Sequence, residues 1–166
     1  MDGKEFKKID AHAHIGNFGG WAGVAITAEE LIAQMDEYHI EKTLLCAEPN
    51  EDCLAAVEKY PDRLVGMVYV NPLEGQAAAD KVYYYVQKKG FKGIKANPLK
   101  HAYVADTELM DPIMEAAKEL DIPVFIHLSN QLFCCNGNTS PAAKITHMSM
   151  GIDFSKFFHI HNLHLL

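Results

Sequence analysis

Residues 9–16 read IDAHAHIG. Two histidines, His12 and His14, flank one alanine, and Asp10 stands two positions ahead of His12. Alternate side chains of a β-strand leave on the same face, so Asp10, His12 and His14 would line one side and Ala11, Ala13 and Ile15 the other. Two imidazoles on one face can converge on a single ion. The glycine-rich run Gly16–Gly23 reads as a flexible loop beyond the strand, where ligand sites of α/β proteins gather. An H-x-H alone equally describes two strand-end histidines bonded to solvent or backbone, so the remainder of the chain has to decide.

Working outward, short apolar runs alternate with amphipathic stretches from Lys7 onward, the pattern of repeated β-strand and α-helix units and of a parallel sheet. Residues 27–38, TAEELIAQMDEY, predict a helix: Thr27 and Glu30 have capping-box spacing, and Leu31, Ile32 and Met35 supply the apolar face. Residues 42–49, KTLLCAEP, predict a strand stopped by proline, and residues 51–61 a helix with Leu54, Val57 and Tyr60 at helical spacing. Residues 63–72 form the third strand unit, and residues 75–90 a helix bounded by Gly75 and Gly90. FKGIKANP, 91–98, is the fourth strand; DPIMEAAKEL, 111–120, a helix with Pro112 in its first turn; IPVFIHLSN, 122–130, the fifth strand. In that last strand Val124, Phe125 and Ile126 are apolar on both faces, as a parallel sheet covered by helices on one side and a packed interior on the other demands.

With 166 residues, 49% of them hydrophobic and 22% charged, the chain has material for one globular core. A formal net charge of −7, with no lysine or arginine run, argues against a nucleic-acid partner. The N-terminal MDGKEFKK lacks the apolar core of a signal peptide, and no apolar run is long enough to cross a bilayer, so a cytoplasmic location without membrane contact is the expectation. Cys46, Cys53, Cys134 and Cys135 form no C-x-x-C pair and read as free thiols.

Five βα units suit either an incomplete (β/α)8 barrel, which in full needs about 250 residues, or an open doubly wound sheet. No glycine-rich phosphate motif supports the open sheet. DAHAHIG on the first strand, GFKGIK on the fourth and PVFIH on the fifth resemble the amidohydrolase superfamily, in particular its amidohydrolase-related branch, over Lys7 to Gln131. The resemblance implies a TIM-barrel type α/β fold, here incomplete, and a metal-dependent hydrolase in which a metal-activated water attacks a small-molecule substrate. It implies His12, His14 and His127 as ligands of a divalent metal, zinc in the usual case. Lys95 stands where some superfamily members carry a carboxylated lysine that bridges two metals; in this one-metal branch it is a candidate substrate contact, and a helix-facing lysine is the alternative. His101 and Tyr103, on the segment after the fourth strand, are further candidate substrate contacts. Asn97 stands where many relatives carry histidine. Non-oxidative decarboxylation on the same fold is the alternative activity, and a catalytically inactive barrel that only binds metal or self-associates is the reading from another class.

After Asn130 the pattern fails. Residues 131–166, QLFCCNGNTSPAAKITHMSMGIDFSKFFHIHNLHLL, hold a turn region at Asn136–Pro141 and two short apolar stretches, neither with a helix of its own. The expected division is therefore 1–131 as the N-terminal part of the barrel and 132–166 as an atypical tail, a truncated or altered continuation. By resemblance His147 would polarise the substrate. Asp153, the last aspartate, is the remaining candidate for the proton carrier of the eighth strand. His159, His161 and His164 alternate in the tail and could bind metal adventitiously. An incomplete barrel leaves strand edges uncovered, so a homo-oligomer is expected.

Overall fold

A computed structural model describes residues 7–18 and 24–127. His147, Asp153, the three tail histidines and the whole expected tail lie outside the described residues.

Strand β1 (Lys8–His14) runs straight into a hairpin of β2 (Gly16–Phe18) and β3 (Val24–Ile26), antiparallel with Gly16 opposite Ile26 and Phe18 opposite Val24. The glycine-rich run expected as a loop is thus partly strand. Gly16, at φ +124°, makes the turn out of β1, a backbone conformation that side-chain-bearing residues rarely adopt. Helix α1 (Ala28–Glu37) starts with the capping box the sequence predicts: the Thr27 side chain accepts the Glu30 amide, the Glu30 carboxylate accepts the Thr27 amide, and Leu31 and Met35 are buried.

The remaining units follow in order: β4 (Ile40–Cys46), α2 (Asn50–Lys59), β5 (Leu64–Val70), α3 (Gln76–Lys89), β6 (Gly93–Ala96), the short α4 (Pro98–His101), α5 (Asp111–Glu119) and β7 (Val124–Ile126). Gly90 ends α3 in the left-handed region and Pro112 occupies the first turn of α5, both at the expected places.

Five strands form one parallel sheet in the order β1-β4-β5-β6-β7, so each new strand adds beside the last. A doubly wound sheet reverses its order at a switch point, and this sheet has none, which removes the open alternative. The sheet also curls. Four inter-strand steps of about 4.8 Å would hold the edges of a flat sheet about 19 Å apart. Yet the ring of His12 on β1 stacks on Phe125 of β7 with centroids 6.4 Å apart. The result is a half-barrel, the incomplete TIM-barrel architecture of a mixed α/β chain.

Strand alternation sorts the side chains into two sets. Leu45, Val68, Val70, Ile94 and Ala96 face the helices and join Met35, Val82, Phe91 and Ile113 in the main core. Leu44, Cys46, Met67 and Tyr69 face the barrel interior with Ile9, Val65 and Phe125 packed on them. Among the described residues no helix is long and apolar enough to cross a membrane.

Candidate metal centre

The first strand is not regular. Asp10 pairs with Thr43 but Ala13 with Leu45, so β1 spends three residues where β4 spends two. The Asp10 carboxylate accepts the His12 amide at 3.0 Å and holds this bulge in place. The extra residue has a consequence for facing. Ile9 packs into the interior, and strict alternation would send His12 the opposite way; the bulge returns His12 and His14 to the interior while Ala13 and Ile15 join the helix-side core. Asp10 therefore does not stand in line with the two imidazoles, as the sequence reading expected, but bonds the backbone between them and itself.

The His12 and His14 rings meet edge to face with centroids 4.6 Å apart. His14 lies opposite Cys46 in the parallel register, and its Nδ1 is 3.3 Å from the Cys46 Sγ. One ligand atom from each of His12, His14 and Cys46 can be chosen so that all lie within 4.8 Å of one another. His12 Nε2 is buried and meets no hydrogen-bond partner among the described residues.

Lys95 reaches the same interior. It pairs in register with Tyr69 on one side and Phe125 on the other, both interior residues, and is 2% exposed. Burial lowers the pKa of its ammonium. His127 follows β7 directly, its amide donating to the Ala96 carbonyl at 3.0 Å. His127 acts electrostatically on both His12 and His14 but stands outside the tight His12, His14 and Cys46 group.

The electrostatics favour uncharged imidazoles. Burial first, then the Lys95 ammonium, lowers His12 to about 4 and pulls His14 and His127 down in the same way. A neutral imidazole keeps the lone pair a metal needs. Burial pushes the Cys46 thiol up to about 12, with Lys95 opposing. The orphaned His12 Nε2, beside a second imidazole and a thiol, fits a divalent cation. Imidazole nitrogen and thiolate sulfur are donors that zinc sites use.

The other candidate residues lie off this cluster. His101 ends α4, its ring edge-on to Tyr69 with centroids 5.8 Å apart and its Nε2 3.5 Å from Glu48. Lys100 meets the same carboxylate at 2.5 Å; burial alone would raise Glu48, and Lys100 and His101 together more than offset it. Tyr103 packs against the helix-side core, with its hydroxyl buried and lacking a partner among the described residues. Asn97 caps α4, its side chain accepting the Lys100 amide at 3.1 Å. Sequence reasoning missed Cys46 as a member of the cluster.

A half-barrel of parallel strands in sequential order, with imidazoles at the carboxyl end of its first strand, defines an incomplete TIM-barrel class. Within it, the chain belongs to the amidohydrolase family, whose profile it matches over residues 9–161. No curated protein matches it. Solved structures do. A 5-carboxyvanillate decarboxylase of Novosphingobium aromaticivorans, with manganese and 3-methoxy-4-hydroxy-5-nitrobenzoic acid bound, superposes at a TM-score of 0.65 and 21% identity, covering 75% of this chain and 51% of the other. A dihydroxybenzoic acid decarboxylase of Polaromonas sp. JS666, with manganese and 2-nitroresorcinol, gives 0.62 at 20% identity and covers 76% and 50%. A probable 2-pyrone-4,6-dicarboxylic acid hydrolase of Acinetobacter baumannii with citric acid bound gives 0.56 at 20% identity and covers 74% and 50%. The chain spans about half the length of these proteins, and at such identities the likeness establishes the fold.

Proposed function

We propose that this chain carries the metal-binding strands of a metal-dependent hydrolase acting on a small carboxylated molecule, with His12, His14 and His127 holding a divalent metal, zinc. The observation that carries the reading is the convergence of His12 and His14 in the barrel interior, with a buried imidazole nitrogen left unpartnered. When bound, a divalent metal supplies Lewis acidity, polarising a substrate oxygen or acidifying a water. The chain's own residues do the rest. Neutral imidazoles offer lone pairs, the apolar wall of Leu44, Met67 and Phe125 excludes water, and the Lys95 ammonium orients a substrate carboxylate. No carboxylate among the described residues pairs with Lys95, so a ligand's carboxylate is its natural partner.

Support for a carboxylated substrate comes also from the neighbours, since nitrobenzoic acid and citric acid are both carboxylic acids. One observation favours decarboxylation as a second reading: Tyr69 and Phe125 flank Lys95 in register and give its ammonium aromatic walls suited to an aromatic acid. His101, beside Tyr69, would contact such a substrate from the rim. No role is assigned to Tyr103, whose ring belongs to the helix-side core. The test is a panel of lactones and amides of small carboxylic acids beside a panel of hydroxybenzoates, assayed with zinc-loaded full-length chain. Hydrolysis abolished by His14→Ala supports the first reading; carbon dioxide release abolished by the same change supports the second. A chain that binds no metal excludes both.

A further inference from the structure

We propose that Cys46 is a thiolate ligand of the metal held by His12 and His14, so that this centre selects zinc over manganese; the inference rests on the metal-centre reading above.

Cys46 is the last residue of β4 and faces the interior because Leu45 faces the helices. The register places it directly opposite His14. Its Sγ lies 3.3 Å from His14 Nδ1 and 3.7 Å from Nε2. Two ligand atoms on one tetrahedral zinc, with bonds of about 2.1 and 2.3 Å, stand about 3.6 Å apart. The sulfur therefore sits at the separation from His14 that a shared ion requires, with a His12 ligand atom within 4.8 Å of both.

The other contact of that sulfur is long, 3.6 Å to the Ala13 carbonyl, and a thiol is a weak hydrogen-bonding group. Cys46 is wholly buried among Leu44, Met67 and Tyr69, with Lys95 in the same interior, and it lies against the two imidazoles, one of which has an unpartnered nitrogen. Cys53 provides the contrast. It is just as buried, but it stands on α2 in the helix-side core and its thiol donates to the Leu45 carbonyl at 3.3 Å. On binding, the metal–sulfur bond forms as the S–H bond releases its proton to solvent. Thiolate is a soft ligand that suits zinc, whereas manganese prefers oxygen donors. The manganese-containing neighbours would then differ from this chain in metal preference.

The test uses the full-length chain with Cys134→Ser and Cys135→Ser, leaving Cys46 and Cys53 as the thiols. Cobalt(II) is bound in place of zinc, and the near-ultraviolet sulfur-to-cobalt charge-transfer band is recorded. The expected result is a band that persists in Cys53→Ser and vanishes in Cys46→Ser, with zinc affinity in Cys46→Ser falling by at least roughly 10- to 100-fold and manganese affinity nearly unchanged. X-ray absorption at the zinc edge of the Cys46-containing chain covers the case in which Cys46→Ser does not fold: a sulfur neighbour at about 2.3 Å is expected. Bound cobalt with no charge-transfer band, a band that survives Cys46→Ser, or a zinc shell of nitrogen and oxygen alone overturns the proposal while leaving the histidine centre standing. Absence of any metal binding overturns the histidine centre itself, and this proposal with it.

Discussion

The Asp10 carboxylate accepts the backbone amide of His12 at 3.0 Å. That bond stabilises the second of two irregular steps in the β1–β4 register, the one between Asp10 and Ala13, and this step decides which face the imidazoles occupy. Replacing Asp10 by alanine removes a partly buried hydrogen bond worth about 1 kcal/mol. The expected result of Asp10→Ala is a loss of that order in a urea titration, together with weaker zinc binding as His12 drifts from the interior. Asn retains the accepting oxygen, so Asp10→Asn is expected to recover most of both. Unchanged zinc affinity in Asp10→Ala would separate the bulge from the metal centre.

Acidification should destabilise the metal-free protein in a defined window. His12 titrates near 4 in the fold against 6.5 when exposed, and His14 and His127 are lowered in the same direction. Between these values the unfolded chain binds more protons than the native one, so stability is complete above pH 6.5 and falls as the pH drops toward 4. Urea midpoints measured across this window should decline for the wild type and decline less for His12→Gln. Equal slopes for the two proteins would contradict the assignment.

Lys95→Met keeps the length of the side chain and removes its charge. Since the ammonium disfavours positive charge at the imidazoles, zinc affinity should rise. Binding of a benzoate-type carboxylate should fall roughly 10- to 100-fold, the worth of a hydrogen bond to a charged group. Calorimetric titration with each ligand checks both directions, and a carboxylate that binds Lys95→Met as tightly as the wild type would remove Lys95 from the substrate site.

Gly66 has no room for a side chain. A Cβ there would stand 2.7 Å from two ring carbons of Phe91, which is itself wholly buried. Gly66→Ala should cost about 1–3 kcal/mol through overpacking, read as a lower urea midpoint, with zinc affinity retained because the clash lies on the helix side of the sheet.

The fold was legible in the sequence wherever local signals and burial agreed. The Thr27–Glu30 capping box, the glycine boundaries of α3 and Pro112 of α5 each act within one turn, and each stands where expected. The hairpin at Gly16–Ile26 was not legible, because its glycine-rich connection resembles any flexible loop. Nor was the short helix Pro98–His101, which depends on the Asn97 cap more than on periodicity. The two-residue period placed His12 and His14 together correctly, yet it put Asp10 with them, since a bulge is set by pairing with β4 and leaves no mark in β1 alone. Cys46 escaped notice for a related reason: its opposition to His14 is a register relationship between strands thirty-two positions apart.

The most direct test of the account is the metal content of the full-length chain, purified without chelator and dialysed against limiting zinc, compared with His12→Ala and His14→Ala. The account expects stoichiometric zinc in the wild type and a loss of most of it in either variant, with both variants retaining the wild-type circular dichroism. Zinc content no higher in the wild type than in the two variants would contradict the claim that these imidazoles form a metal centre.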